Sequence, residues 1–424
     1  MDRLSFESIS YGAERHKLCR FRGSATDCRR NARWYWEPTD SRCGVPCLML
    51  ALRSSPMITS KPASATSTAA VFRAVGEPLK LEQFAIPELQ GSEVVARIVC
   101  ATICGSDLHS YFGRRHSPMP SVLGHEMVAR VQAVGPRGAT DFRGRPLAIG
   151  DRITWSMVWS CGVCFYCRRG LRPKCETLMK FGPEAIVPGR ALIGGMAEHC
   201  HLPEGTAIFR VPGNLSDAVA SPANCATATV AALFRYAGPV AGQVVVVHGA
   251  GMLGQTACAM AALGGAAQVI AIEPDARRRA KALRFGATEA LDSARPANEI
   301  LARVRELSAG RGADIGLEVA GYPESIELGV GLLRMGGRLV MAGATFPSRP
   351  VELAGEQLVR RMIHIMGVYN YSPENLESAL AFLSQAIDRY PFEELVGRRF
   401  PLSAVNEALD YAETQRPPRV ALIP

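Results

Sequence analysis

The chain has 424 residues, of which 48% are hydrophobic and 21% charged, the composition of a globular protein long enough for two domains. Its net charge of +9 does not indicate nucleic-acid binding. Residues 1–56 contain ten Lys or Arg and six Asp or Glu, so four of the nine net positive charges fall in this short segment. In addition, no basic run is interleaved with aromatic residues. No apolar run reaches the roughly 18–20 residues of a membrane helix, so we expect a soluble protein without a membrane partner.

Residues 1–68 are predicted to lie outside the folded part of the chain. Neither helical nor strand periodicity is sustained over residues 1–56, which lack the apolar segment of a secretory signal and are not acid-poor as transit peptides are. A small metal site or a targeting arm is one interpretation. The favoured one is a disordered or misannotated extension, with the true start near Met57.

A β-rich region follows over residues 69–225. Short runs of strand character are separated there by Gly and Pro, which indicates irregular loops between strands. The predicted strands are Ala70–Arg73, Leu79–Phe84, Val94–Ala101, Met127–Val134, Asp151–Trp155 and Ala197–His201.

From residue 226 to 366 strands and helices alternate, which predicts a doubly wound parallel sheet and an α/β fold class. The remaining residues, 367–424, hold a further helix and a closing strand, and are expected to return to the β-rich region. The predicted helices are Thr227–Tyr236, Ala276–Phe285, Glu299–Leu307, Glu324–Leu333 and Glu374–Ala386. The predicted strands are Val244–Val247, Val269–Ile272, Ile315–Val319, Arg338–Ala342 and Arg419–Ile423.

A glycine motif lies at the start of this alternating region. Gly249, Gly251 and Gly254 form G-x-G-x-x-G directly after a predicted strand, and a helix follows. The three glycines permit a tight turn, close approach of a pyrophosphate and close packing of helix on strand. Glu273 ends the next strand, where a carboxylate binds the adenosine ribose and repels a 2′-phosphate. The motif predicts NAD rather than NADP, although three arginines at 277–279 argue the other way.

Four of the 13 cysteines are clustered with the spacing C-x2-C-x2-C-x7-C. The odd total and the clustering disfavour a disulfide scaffold and favour a metal-binding protein of a reducing compartment, the cytoplasm. Four thiolates close a tetrahedral zinc site, which makes this a structural zinc. An iron–sulfur cluster is the alternative. The four residues are Cys161, Cys164, Cys167 and Cys175.

A sparser set is formed by Cys104, His125 and Cys225. Two thiolates and one imidazole are a suitable three-ligand set for a catalytic zinc whose fourth position takes water or substrate. Each residue also has an ordinary interpretation, since a single Cys is usually a small core residue and a single His a satisfied polar group.

Taken together, these residues resemble the zinc-containing medium-chain dehydrogenase/reductase superfamily, with its alcohol, sorbitol and threonine dehydrogenases. The resemblance covers roughly residues 69–424 and rests on the motifs already described, on Cys-Gly-Ser-Asp-Leu-His at 104–109, on Gly-His-Glu at 124–126 and on Gly-Asp-Arg at 150–152. It implies a Rossmann domain beside a β-rich, GroES-like catalytic domain, with the active site between them. It also implies a catalytic zinc on Cys104, His125 and Cys225, and a homodimer or homotetramer.

The resemblance assigns roles to further residues. Ser106 corresponds to the hydroxyl that touches the substrate oxygen, and His109 to the histidine that ends the proton relay in some branches. Asp107 would orient the His125 ring, and Glu126 would be a supporting group or a transient ligand. Arg419 falls near an arginine that contacts the cofactor pyrophosphate in some members.

The sequence departs from the family in places. Residue 105 is Gly where some alcohol dehydrogenases carry a phosphate-binding Arg, and the polar loop 136–146 is longer than in compact members. Residues 224–229 resemble a branch associated with phosphonate breakdown. Arg114 and Arg115 follow the first ligand run, where two guanidinium groups could bind an anionic substrate or form an ordinary surface pair.

The expected function is therefore hydride transfer between an alcohol, polyol or hydroxyalkylphosphonate and NAD, with two zinc ions per chain. A nucleotide-binding homologue without alcohol turnover is the alternative, and the complete trio Cys104, His125 and Cys225 argues against it. A zinc module that contacts nucleic acid is a further alternative. The lack of a long run of Lys and Arg residues argues against it.

Overall fold

The computed structural model describes residues 66–424, so the predictions for residues 1–65 lie outside the described part. The strands of the β-rich region are short and alternate with turns that place glycine at positive φ. These strands are β1 (Thr66–Phe72), β2 (Lys80–Ala85), β3 (Val94–Ile103), β4 (Ser121–Val122), β5 (Glu126–Val134), β6 (Arg152–Trp155), β7 (Val158–Trp159), β8 (Met179–Lys180), β9 (His199–Leu202) and β10 (Ile208–Arg210).

The second half of the chain supplies longer helices and buried strands. Its strands are β11 (Val244–His248), β12 (Gln268–Ile272), β13 (Glu289–Leu291), β14 (Ala313–Glu318), β15 (Leu333–Met341), β16 (His364–Gly367), β17 (Val396–Pro401) and β18 (Arg419–Ile423). The helices of residues 66–424 are α1 (Gly105–Tyr111), α2 (Phe165–Arg168), α3 (Asp217–Ala220), α4 (Ala226–Ala237), α5 (Met252–Leu263), α6 (Ala276–Arg284), α7 (Ala297–Leu307), α8 (Pro323–Leu332), α9 (Gly355–Arg360), α10 (Pro373–Ala386) and α11 (Val405–Gln415).

A parallel sheet of six strands forms the Rossmann domain, in the order β13-β12-β11-β14-β15-β16. All five residues of β11 are buried, as expected of a central parallel strand covered by helices on both faces. The direction in which successive strands are added to the sheet reverses at β11. β12 is its neighbour on one side, and β14 is its neighbour on the other. Ligands of open α/β sheets bind in the crevice at such a point.

The GroES-like domain is built on a sheet with the path β10-β6-β5-β3-β18-β17, in which β9 also pairs with β3. Its inward side chains pack with those of β1, β4 and α11 around the fully buried Trp155. The C-terminal strand β18 pairs antiparallel with β3, so the end of the chain lies beside the strand that leads into Cys104. The predicted α/β fold class, with a Rossmann sheet and a β-rich domain, is confirmed.

Several elements lie beyond what the periodicity predicts. The helix α11 and the strand β17 lie outside the predicted elements. The buried side of α11 is formed by only four residues, two of them alanines, and three of the six residues of β17 are polar or glycine. Among residues 66–424 no helix has both the length and the apolarity to cross a membrane.

Candidate active site

Three segments of the GroES-like domain bring Cys104, His125, Glu126 and Cys225 together. Cys104 caps α1 directly after β3, His125 and Glu126 stand at the start of β5, and Cys225 precedes α4. One side-chain donor atom of each lies within 4.8 Å of the others. The predicted trio therefore converges, although its members are far apart in the sequence.

Asp107 ties two of these segments to each other. One carboxylate oxygen accepts from the Cys104 backbone amide at 2.9 Å. The other lies 3.2 Å from His125 Nδ1 and accepts from the Gly124 amide at 3.3 Å. Because Nδ1 is engaged by the carboxylate, Nε2 of His125 remains for a metal ion. This is the orienting role that the resemblance implies for Asp107.

The electrostatics of the trio suit a cation. A hydrogen bond with the Cys225 thiol is the largest effect that lowers the pKa of Cys104 well below its ordinary value, and the same bond raises the pKa of Cys225. Burial lowers the pKa of His125, but the charges and hydrogen bonds of Asp107 and Cys104 together outweigh burial and raise it. The low pKa of Cys104 favours its thiolate, the form in which a cysteine binds a metal ion. Two thiolates and an imidazole are a donor set that suits zinc.

Glu126 lies beside the trio, but its carboxylate is already engaged. Arg419 donates from Nε to Oε2 and from Nη2 to Oε1, both at 2.6 Å, and Thr102 Oγ1 donates to Oε2 at 2.6 Å. Arg419 Nη2 also lies 3.5 Å from Cys104 Sγ. Burial raises the pKa of Glu126, whereas the charge of Arg419 lowers it. The arrangement favours the supporting role for Glu126 and leaves three free donors for a metal.

Arg419 therefore has an environment that the resemblance does not predict. Its guanidinium is buried against Glu126 and Cys104. Arg419 is not among the residues that line the cavity beside the glycine motif, described below. Contact between Arg419 and the cofactor stays a prediction.

Cys225 is held in place by buried hydrogen bonds of its neighbour. The Asn224 side chain donates to the Trp155 carbonyl at 3.0 Å, and the Asn224 carbonyl accepts from the Tyr371 hydroxyl. The same hydroxyl accepts from the Met157 amide at 3.0 Å. Tyr371 lies just before α10, so the C-terminal part of the chain fixes the third donor of the trio.

Ser106 and His109 lie on α1 next to the trio. Ser106 Oγ is 3.5 Å from His125 Nε2, the nitrogen that faces the metal position. The His109 ring packs against Phe346 of the Rossmann domain, with ring centroids 4.0 Å apart and the ring planes tilted by 41°. Its buried Nδ1 has no hydrogen-bond partner among the described residues. Burial, followed by the charge of Arg114, lowers the pKa of His109. Its ring is therefore neutral near pH 7 and can accept a proton.

The four clustered cysteines also converge. Cys175 Sγ lies 3.5 Å from Cys161 Sγ and 4.0 Å from Cys164 Sγ, and all four sulfurs are within 4.8 Å of one another. Tetrahedral Zn–S bonds of about 2.3 Å place sulfurs roughly 3.8 Å apart. Backbone amides of Val163 and Cys164 lower the pKa of Cys161, which favours its thiolate. The four sulfurs fit a closed zinc site.

The glycine motif borders a cavity of about 910 Å³ that also takes in residues at the end of α11. Gly249 has φ +89°, and a β-carbon on Gly254 would lie 1.8 Å from the Gly249 carbonyl oxygen. A β-carbon on Gly251 would meet nothing within 4 Å, and Gly251 lines the cavity. The first and third glycines therefore serve the turn and the packing, and the second leaves room for a phosphate.

Glu273 lies at the end of β12, lines the same cavity and is held rigidly. Its two oxygens accept from the amides of Ala250 at 2.7 Å and Asp275 at 3.1 Å. Of the three nearby arginines, Arg277 and Arg278 line the cavity, whereas Arg279 donates to the Glu273 carbonyl and pairs with an aspartate. The negative charge of Glu273 thus disfavours a 2′-phosphate on a ribose bound in this cavity, whereas the positive charges of Arg277 and Arg278 favour it.

The predicted arginine pair is divided in the structure. Arg114 makes two hydrogen bonds of 2.8 Å to the carboxylate of Glu413, so its charge is compensated. Arg115 forms no ion pair among the described residues. Sequence reasoning also missed Thr102, Asn224 and Tyr371; no local pattern marks them, because their partners lie elsewhere in the chain.

Comparison with known proteins matches both halves of the chain. Residues 90–213 match the alcohol dehydrogenase GroES-like domain family, and residues 253–385 match the zinc-binding dehydrogenase family. The chain is 30% identical over 319 residues to 5-exo-hydroxycamphor dehydrogenase of Pseudomonas putida, covering 74% of this chain and 87% of that protein. It is 30% identical over 345 residues to L-threonine 3-dehydrogenase of Pectobacterium carotovorum, covering 79% and 93%.

The fold has solved counterparts as well. The crystal structure of an alcohol dehydrogenase from Thermotoga maritima superposes with a TM-score of 0.80 at 29% identity, covering 85% of this chain and 100% of that chain. An alcohol dehydrogenase from a Thermus species gives a TM-score of 0.74 at 29% identity, covering 84% and 99%. These matches show that the chain belongs to the zinc-containing medium-chain dehydrogenase/reductase superfamily. It is accordingly an oxidoreductase that acts on CH–OH groups and uses zinc and a nicotinamide cofactor.

Proposed function

We propose that the chain transfers hydride between an alcohol and NAD at a zinc ion held by Cys104, His125 and Cys225. The observation that carries the proposal is the convergence of these three donors beside a carboxylate, Glu126, that Arg419 and Thr102 already engage. Three donors leave the fourth position of a tetrahedral zinc open for the substrate oxygen. A second zinc, held by the four-cysteine lobe, has a structural role.

The cofactors supply the chemistry that the side chains lack. A zinc ion held by Cys104, His125 and Cys225 would make the hydroxyl of an alcohol easier to deprotonate, and a bound nicotinamide would supply the hydride acceptor. Ser106 Oγ lies 3.5 Å from His125 Nε2, where it can accept the hydroxyl proton of the substrate as it passes its own proton on. His109, neutral near pH 7, is the onward acceptor. No direct hydrogen bond joins Ser106 to His109 among the described residues, so water or another hydroxyl has to bridge them.

The proposed boundaries are 69–225 for the catalytic domain, 226–366 for the Rossmann domain and 367–424 for the returning segment. The specific alcohol, a homodimeric or homotetrameric state and a cytoplasmic location stay predictions. The most direct test of the function is formation of NADH over a panel of alcohols, polyols, hydroxy acids and hydroxyalkylphosphonates. Absence of turnover with every member, in protein that binds zinc, would contradict the proposal.

The glycine motif gives a paired prediction. Gly251→Ala should leave the melting temperature nearly unchanged, because the added methyl group meets no protein atom, but should raise KM for NAD where the pyrophosphate approaches. Gly254→Ala should lower the melting temperature, because its methyl group collides with the Gly249 carbonyl. Thermal unfolding and NAD kinetics on both variants separate the two roles. Equal loss of stability in both would show that Gly251 also serves packing.

Glu273 gives a prediction about cofactor choice. NAD should be preferred over NADP by at least about tenfold in kcat/KM, because a like-charged carboxylate and phosphate placed together cost several kcal/mol. A variant with Arg277→Gln and Arg278→Gln should use NADP still less, since the compensating charges are gone. Equal kcat/KM for both cofactors in the wild-type enzyme would mean that these arginines outweigh Glu273.

A further inference from the structure

Two lysines converge on one tyrosine between the four-cysteine lobe and the chain that follows β16. Lys180 Nζ donates to the Tyr369 hydroxyl at 2.7 Å. The ammonium groups of Lys174 and Lys180 lie 4.2 and 4.6 Å from the centre of the Tyr369 ring. Cations at such distances are attracted to the face of the ring. We name these three residues and Arg115 the Tyr369 cluster.

Arg115, in the turn that follows α1, adds a third positive charge that acts on Tyr369. Its backbone amide donates to the His109 carbonyl at 2.9 Å, which fixes the residue at the end of the turn that follows α1. Burial raises the pKa of Tyr369, but Lys180, Arg115 and Lys174 outweigh burial and lower it. The phenol hydroxyl therefore sits in a positive potential to which all three cations contribute.

Acidic side chains do not compensate this charge. Among residues 66–424, no ion pair involves Arg115, Lys174 or Lys180. Glu184 is close by, but its carboxylate accepts from the backbone amide of Lys180 at 3.0 Å and forms no ion pair with Nζ. Arg114, by contrast, is paired with Glu413. The Tyr369 cluster thus has an excess of positive charge that an anion can neutralise.

Each segment that carries the Tyr369 cluster adjoins one donor of the proposed catalytic metal. Lys180 is two residues before Gly182, on which a β-carbon would lie 3.4 Å from the β-carbon of His125. Tyr369 is two residues before Tyr371, whose hydroxyl donates to the carbonyl of Asn224, the residue next to Cys225. Residues two apart on an extended chain are only about 7 Å apart.

Arg115 completes this arrangement. It is bonded to His109 on α1, the helix that Cys104 caps. The segments that carry the Tyr369 cluster therefore adjoin the segments that carry the proposed metal donors.

We propose that Arg115, Lys180 and the Tyr369 hydroxyl form a subsite for an acidic group of the substrate. The enzyme then acts on hydroxy acids, meaning alcohols that also carry a carboxylate or a phosphonate, in preference to neutral alcohols. The inference rests on the proposed function, and the reaction is that of a hydroxy acid with NAD⁺ to give the oxo acid, NADH and a proton. The guanidinium and ammonium groups bind the acid through charge-assisted hydrogen bonds.

The test compares acids with neutral molecules of the same skeleton. Hydroxypropionate and hydroxybutyrate are assayed beside their methyl esters, and hydroxyethylphosphonate beside its dimethyl ester. In the wild-type enzyme kcat/KM should be at least about tenfold higher for an acid than for its ester, the value of one charge-assisted contact. In the Arg115→Gln/Lys180→Gln variant this acid-to-ester ratio should fall at least about tenfold. The larger of the carboxylate and phosphonate ratios identifies the preferred head group.

Arg114→Gln is the matched control, since it removes a neighbouring arginine whose charge Glu413 already compensates, and it should keep the wild-type ratio. Zinc content and melting temperature verify that the variants are folded. A wild-type ratio of one or less, or a ratio unchanged in the double variant, overturns the subsite while leaving the proposed function intact.

The subsite can also be tested without turnover. If no alcohol of any charge is oxidised, the proposed function fails. The subsite can then still be tested by calorimetry, which measures the binding of hydroxyethylphosphonate to the NADH-loaded holoenzyme. Binding that weakens at least about tenfold in the double variant supports it, and absence of binding overturns it.

Discussion

Replacement of Cys104 by alanine should lower kcat/KM for alcohol oxidation about a thousandfold or more. The loss follows from the removal of one of three donors at the open site, and hence of the Lewis acid that acts on the substrate oxygen. Such stabilisation is worth several kcal/mol, and each 1.36 kcal/mol corresponds to a factor of about ten in rate. Steady-state kinetics with saturating NAD measure the effect.

Metal content distinguishes this account from a general loss of structure. Zinc should fall from about two ions per chain to about one in Cys104→Ala, because the lobe of Cys161 and its three partners retains its own ion. Cys200→Ala is the control, since that thiol is fully buried in the same domain but belongs to neither metal cluster. A Cys104→Ala protein with two zinc ions and ordinary turnover would contradict the assignment.

Replacement of Arg419 by methionine should lower the free energy of unfolding by about 3–5 kcal/mol, the usual cost of removing one partner from a buried ion pair. The Glu126 carboxylate is fully buried and would keep only the hydrogen bond from Thr102 Oγ1. Urea unfolding of the zinc-loaded protein measures the change. An Arg419→Met variant that unfolds at the wild-type urea concentration would show that the pair contributes little.

The same variant has a defined pH dependence. Burial raises the pKa of Glu126, and removal of the guanidinium also removes the charge that lowers it. A carboxyl whose pKa is raised on folding stabilises the fold below its unfolded pKa of about 4.3 and loses that contribution as pH rises through the folded value. The deficit of Arg419→Met relative to the wild type should therefore grow from pH 5 to pH 8. Combining it with Glu126→Gln should recover part of the loss, because no charge is then left buried.

The proposed nucleotide site could be predicted from the sequence because its determinants lie close together along the chain. Gly249, Gly251, Gly254 and Glu273 belong to one strand–helix–strand unit. The four-cysteine lobe is similarly local. Both sites follow from residue type and spacing without knowledge of the rest of the fold.

The catalytic trio could be predicted only in part. Cys225 lies about a hundred residues after His125, and no spacing pattern links it to the other two donors, so the set depends mainly on the family resemblance. Arg419 shows the limit of that resemblance, since its buried position on Glu126 depends on the pairing of β18 with β3. Lys180 and Tyr369 are 189 residues apart and carry no shared pattern, so their contact could not be predicted.

The central claim is that alcohol oxidation depends on a metal ion held by Cys104, His125 and Cys225. Its most direct test begins with a chelator that reduces the zinc content from about two ions per chain to about one. Zinc is then returned stepwise, and NADH formation from an alcohol is measured at each zinc content. The account predicts that turnover disappears with the removed ion and rises in proportion to zinc returned to the open site. Full turnover by the enzyme depleted at that site would contradict it.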